Sequence, residues 1–276
     1  MPLSLSGNGT ITGNVSFGNT VTLSSVTATS VSANSINSAS YVSANSVVIA
    51  PIGYALGPQT MKNRIINGDM RIDQRFSGAA NTSINGASQY VIDRWAGYSN
   101  IPTGKLRFQQ NNTNGPGSST TQTATGFSNY FGANTTSSNT VNSTDLWLTF
   151  QCIEGYNIAD LNWGTANASP ITLSFWSYSS IAGTHGGVVQ NGPQTRSYVF
   201  SYNITTANTW QYQTITIPGD TTGSWWSNNN IGMYVLYNLG TGSTYLGSPN
   251  SWGSTTYFAP TGSVQVVNNE IGRAHV

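Results

Sequence analysis

An all-β sandwich is the fold class that the sequence predicts, on three observations. From Tyr90 onward, apolar and aromatic residues recur with period two in short runs, the pattern of strands with one buried face. The runs are separated by loops rich in Gly, Asn, Ser and Thr, the punctuation of sandwiches and barrels. No segment carries an amphipathic helical stripe; Tyr156 to Leu161 is enough for a single turn at most.

Taken in order, residues 1–50 form a repetitive shaft or linker segment. Residues 1–61 contain no Asp, Glu, Lys, Arg or His, and apolar positions recur at Ile11, Val15, Val21, Val26, Val31, Ile36, Tyr41 or Val42, and Val47. Val31-Ser-Ala-Asn-Ser-Ile36 returns as Val42-Ser-Ala-Asn-Ser-Val47. A short repeat that cannot bury its apolar edge alone stacks on neighbours or associates. The competing reading is a disordered Ser/Thr/Asn linker, and the β-branched spacing favours structure formed in an oligomer. Residues 51–61 are a hinge, where Pro51, Gly53, Gly57 and Pro58 interrupt any ladder.

Asn63 to Trp95 concentrates the charge of the chain: Arg64, Arg71, Arg75 and Arg94 alternate with Asp69, Asp73 and Asp93, with Lys62 just outside. In a chain that is 6% charged, such a knot reads as partly buried pairs fixing strand register. Residues 65–72 read as an opening strand broken by a bend at Asn67-Gly68-Asp69. Further strands are expected at Lys105 to Gln109, Leu146 to Cys152, Ile171 to Tyr178, Tyr198 to Ile204, Thr209 to Ile217, Ile231 to Leu239 and Thr255 to Ala259. Residues 111–144 read as too polar for a core strand pair.

Several phrases occur in a telling order: NRIINGDMRIDQR, DRW, SFWSYSS, NTWQYQTITIPGDTTG and a late APTG. Across residues 62–269 they resemble the β-sandwich domain of phage tail-fibre and related receptor-binding proteins. That domain is similar in turn to jelly-roll (galactose-binding-like) carbohydrate-binding modules. The resemblance implies a jelly-roll sandwich at 62–269 preceded by the end of a trimeric, β-rich fibre shaft. It also implies a virion component of the tail fibre, acting outside the cell to attach to a host surface glycan. The family closes with a further strand ending in a Q-L-E-x-G-like phrase, which is absent here. The last seven residues, 270–276, can be encoded by GAG ATC GGA AGA GCA CAC GTC, which resembles a sequencing-library adapter translated in frame. The expectation is therefore a metagenomic fragment cut after Asn269, its final strands missing.

Composition excludes some roles. Net charge is +1 and the isoelectric point is near 7.8, so no electrostatic footprint for nucleic acid or anionic lipid exists. No run of about eighteen apolar residues spans a membrane, and the N-terminus lacks the basic and apolar regions of a secretory signal. The single cysteine, Cys152, permits no internal disulfide. It shares parity with Leu146, Leu148 and Phe150, which marks a small core residue rather than a nucleophile.

Catalytic chemistry finds thin material. His185 sits in Gly183-Thr-His-Gly-Gly187, read as a flexible loop without a neighbouring acid. Asp145, Glu154 and Asp160 are the carboxylates available for a glycosidase pair, and no spacing puts two of them across a cleft. Asn67-Gly68-Asp69 resembles the opening strand from which related modules supply ligands to a structural calcium. The expectation is no enzyme and no required cofactor. Sugar binding needs exposed rings for the apolar faces of pyranoses, with amides and hydroxyls for their OH groups. With 8 Trp and 14 Tyr against 9 Phe, the candidates are Trp147, Trp176 and Tyr178, read as outward on their strands, and Trp225, Trp226, Tyr245 and Trp252 in loops. Trp95 and Trp210 read as core or edge packing. The expected partners are a host surface glycan and other protomers of a homotrimeric fibre. The alternatives are a structural fibre segment and a depolymerase of capsule or lipopolysaccharide.

Overall fold

Two antiparallel sheets face each other across one core, and a polar opening segment is stitched to their edge. The computed structural model describes residues 62–80, 84, 86–101, 106–112, 124, 126–268 and 273–275, within one unit, Met61–Val276. The shaft and hinge expectations, 1–50 and 51–61, lie outside the described residues.

The strands are β1 (Ala87–Ile92), β2 (Trp95–Ser99), β3 (Leu106–Asn112), β4 (Asn129–Thr135), β5 (Leu146–Glu154), β6 (Ile171–Ser179) and β7 (Gly183–Asn191). They continue as β8 (Ser197–Ile204), β9 (Gln211–Ile217), β10 (Ile231–Thr241), β11 (Leu246–Gly247), β12 (Ser251–Gly253), β13 (Ala259–Pro260) and β14 (Arg273–His275). The larger sheet runs β1-β2-β5-β10-β7-β8-β12, the smaller β3-β4-β14-β6-β9, and β11 pairs with β13. Trp95, Trp147, Phe200 and Tyr237 of the larger sheet meet Phe108, Phe131, Leu173 and Ile217 of the smaller in one cluster. The all-β sandwich expectation holds.

Four local expectations are corrected. Residues 62–80 form bends and turns rather than a strand, because side chains take over the ladder's role. Gln151, fully buried on β5, accepts from the Ile66 amide and donates to its carbonyl, both at 2.9 Å. One side chain thus satisfies the backbone as a strand would. The Arg/Asp knot does not set strand register either. Asp73 accepts from the amides of Phe76 and Gly78, and Asp93 from that of Gln74, while Arg64 reaches Asp160 and Arg94 reaches Glu154.

Residues 111–144 do supply a core strand. β4 pairs with β3 from Asn129 to Thr135 and buries Phe131 against Phe108 at 5.9 Å. Finally, the sequence around His185 is a central strand, β7, between β10 and β8. Its glycines allow close approach: a Cβ on Gly187 would strike the Leu236 carbonyl, and one on Gly186 the Phe200 carbonyl.

Candidate binding site

The aromatic residues proposed from sequence separate into four groups. Trp147 is 1% exposed and lies in the inter-sheet core. The expectation that it faces solvent is corrected: β5 is buried on both faces, and the polar Thr149 and Gln151 that share the tryptophan's side are satisfied by backbone partners at Ala96 and Ile66 rather than by water. Tyr178 is also buried; its hydroxyl donates to Asn208 Oδ1 at 3.0 Å, and its ring lies 5.5 Å from Trp210. Neither offers a free face to a ligand.

Trp225 and Trp252 are half-buried in a knot with Trp163, at centroid distances of 4.6, 5.5 and 5.8 Å. Each indole N–H has a partner: Trp225 donates to Asp220, Trp252 to the Pro218 carbonyl and Trp163 to the Ser169 carbonyl. Rings with satisfied donors and edge-to-face neighbours hold loops together. Tyr245 is half-buried, 5.4 Å from Phe258. Trp226 is 38% exposed, its ring over Gly192.

Trp176 stands in a more suggestive place. It is level with Tyr212 across the β6–β9 ladder, and their rings lie 5.5 Å apart on the outer face of the smaller sheet. Cross-strand neighbours at such a distance form one continuous surface. Tyr212 is 57% exposed. Hydrogen bonds with Ser174 and Thr214 hold its hydroxyl pKa below the ordinary tyrosine value. Thr172, Ser174, Thr214 and Thr216 are exposed along the same face. Trp210 adds a further ring, 5.3 Å from Tyr130. Trp176, Trp210 and Tyr212 also line a cleft of about 630 Å³, together with Asn63, Phe127, Asn129, Leu173, Phe175 and Tyr237. The strands β4, β6 and β9 contain no Asp, Glu, Lys or Arg.

No protein-family model matches the chain, and no curated protein matches it either.

The ionisable candidates are each engaged elsewhere. Burial lowers the His185 pKa, and a ring nitrogen lies 3.0 Å from the Ile181 carbonyl oxygen. Asp145 accepts from the backbone and side-chain amides of Asn142. Glu154 takes Arg94 and Asn157, and Asp160 takes Arg64 through both oxygens. Cys152 is half-buried beneath Tyr90, and burial pushes its thiol up to about 11. At the calcium-like phrase, Asn67 Oδ1 accepts from the Ile72 amide and its carbonyl from Trp95 Nε1, while Asp69 pairs with Arg71 at 2.9 Å. Among the described residues, no group of three or more His, Cys, Asp or Glu is placed to hold a metal.

Sequence reading missed Tyr212. The signal was present in the alternation of Tyr212, Thr214 and Thr216 against Gln213, Ile215 and Ile217, which puts the tyrosine on the polar side of its strand.

Proposed function

We propose that this protein is a non-catalytic glycan-binding module of a phage tail fibre, using the Trp176–Tyr212 face of the smaller sheet against a neutral host surface glycan. The observation that carries the reading is the pairing of the exposed Tyr212 ring and the half-buried Trp176 ring with a flanking row of exposed Ser and Thr residues. Rings accept the C–H faces of pyranoses, hydroxyls exchange hydrogen bonds with their OH groups, and neither gives up much rotamer freedom. The uncharged strands beneath supply nothing to neutralise a sialic acid or phosphate, which favours neutral sugars. The tail-fibre setting is supported by the resemblance of residues 62–269, and the engaged state of His185, Asp145, Glu154 and Asp160 supports binding without turnover.

The test is an array of bacterial glycans probed with the full chain, followed by titration of each hit. Trp176→Ala and Tyr212→Ala are each expected to weaken binding about tenfold, near the upper end of what one ring contact contributes, while Trp226→Ala leaves it unchanged. Binding that survives both ring deletions rejects this face. Release of shorter sugars from a hit rejects the non-catalytic reading.

A structural fibre role is the second reading, favoured by the outer face of the larger sheet. There Tyr90, Tyr98, Leu148, Phe150, Tyr234 and Leu236 line a groove of about 370 Å³, apolar enough to meet another protomer.

A further inference from the structure

The outer face of the smaller sheet is stepped along its strands. The β6–β9 ladder sets Thr172 level with Thr216, Ser174 with Thr214 and Trp176 with Tyr212. These positions alternate with Leu173, Phe175, Ile215 and Ile217, which pack in or against the core. The Tyr212 hydroxyl is hydrogen-bonded to the side chains of Ser174 and Thr214, which lie two residues farther along the ladder, about 7 Å away. A ring tethered at its tip to the next pair lies along the sheet instead of standing off it, and turns one face to solvent. Trp176 meets that ring at 5.5 Å and 53°. Both rings line the same cleft, so the angle between them opens toward it, with Tyr212 as a floor and Trp176 as a wall. Behind the wall the face is built up: Trp210 lies 5.5 Å from Tyr178 and 5.3 Å from Tyr130, and both tyrosines are buried. On the other side it drops to exposed Ser174, Thr214, Thr172 and Thr216. That track runs about 13 Å from the ring pair to Thr172 and Thr216, and the strands end one residue later at Ile171 and Ile217.

We propose, resting on the glycan reading above, that this face recognises the non-reducing end of a neutral glycan: the terminal pyranose lies on Tyr212 with its edge against Trp176, and the chain leaves over the Ser/Thr track. A chain that continued the other way would meet the Trp176 wall and the packed rings behind it. A cell-surface polysaccharide is fixed through its reducing end, so the end free to enter a face closed on one side is the non-reducing one. Two rings set at 53° also suit one sugar better than two, since a single pyranose offers both a C–H face and an edge. The Tyr212 hydroxyl is already engaged by Ser174 and Thr214, so this residue contributes its ring face alone. Sugars that follow the first meet only exposed hydroxyls, which exchange one hydrogen bond with water for another and add little. The terminal unit therefore carries most of the affinity.

The test uses the full chain and two sets of probes. The first is the α- and β-methyl glycosides of glucose, galactose, mannose, rhamnose and fucose, followed by ligand-observed NMR. At least one is expected to bind and to displace a glycan found on the array. The second is each array hit beside the same glycan capped at every non-reducing end with a different sugar. The capped form is expected to bind at least about tenfold more weakly, the share of one stacked ring. Tyr212→Phe, which keeps the ring and removes its tether, is expected to weaken the uncapped hit about fivefold, the share of one hydrogen bond. A capped glycan that binds as tightly as its parent, or hits with no methyl glycoside bound, shows that the face holds internal stretches of chain. Either result overturns end recognition while the glycan reading stands. An unchanged affinity in Tyr212→Phe removes the floor and overturns it as well. No array hit and no bound glycoside overturns both readings together.

Discussion

Asp220 is the residue where burial and charge meet most closely. Its side chain is 2% exposed and accepts from Arg196 Nη2 at 2.7 Å, Arg196 Nε at 2.8 Å and Trp225 Nε1 at 3.1 Å. Burial alone would raise its pKa, but the hydrogen bonds from Arg196 and Trp225 outweigh it and hold the carboxyl below the usual value. A group whose folded pKa is depressed contributes stability that is present above its unfolded pKa, about 3.9, and is lost as pH falls through the folded value. From Asp220 alone the melting temperature is expected to stay level from about pH 7 to pH 5 and to fall below about pH 4, while His185, held neutral by burial, adds a loss that begins as pH drops below about 6.5 and the unfolded chain takes up its proton. Asp220→Ala is expected to cost about 3 kcal/mol at neutral pH by stranding Arg196 and to flatten the acid limb. A variant that keeps the parent's acid slope shows that other carboxylates govern it. Sequence reading sought pairs among the clustered charges of 64–94 and missed this one, because Arg196 and Asp220 lie 24 positions apart and only the fold brings them together. The same limit hid Gln151, whose bond to Ile66 spans 85 positions.

At the scale of the element, β5 explains why the parity of one face was misread. Its sequence offers Leu146, Leu148 and Phe150 on one side and Trp147, Thr149, Gln151 and Ile153 on the other, and the two polar residues make the second side read as the wet one, although Thr149 is satisfied by the Ala96 carbonyl and Gln151 by Ile66 inside the fold. The structure buries both: Trp147 and Ile153 in the inter-sheet core, the leucines in a second cluster with Val188, Val199 and Phe258. Strands covered on both faces lose the wet side on which alternation depends. Room for Trp147 comes from β10, whose register shifts between Asn238 and Gly240. A Cβ on Gly240 would stand 2.9 Å from Trp147 Cε3 and strike Val267. Gly240→Ala is therefore expected to destabilise by about 1–3 kcal/mol through overpacking, read as a lower urea midpoint at unchanged slope. A neutral effect means that the bulge absorbs the methyl group, and Gly240 is then not what admits the tryptophan. Where one face alone is buried, as in β9, alternation did identify the strand and its exposed side, apart from the significance of Tyr212.

For the whole molecule, the legible part was the all-β class and most strand positions; the illegible part was which rings the second layer would cover. Burial of Trp147, Tyr178, Trp225 and Trp252 is set by neighbours from distant strands, and a single core joining both sheets makes those neighbours available only when the sandwich forms as a unit. Such a core predicts cooperative unfolding of the described unit, and Cys152 reports on it as the sole thiol. It lies in β5, flanked by β2 and β10 in the larger sheet, with its pKa pushed up to about 11 by burial. Two units above an ordinary thiol means about a hundredfold less thiolate, the reactive species. At pH 8 the native chain is thus expected to react with excess aromatic disulfide at least about a hundredfold more slowly than the chain in urea. If β5 opens only when the whole sandwich does, the labelling rate rises with urea on the same slope as global unfolding. A rate that is independent of urea below the transition means instead that the β1–β2 margin, where Tyr90 covers the thiol, opens by itself while the core stays closed.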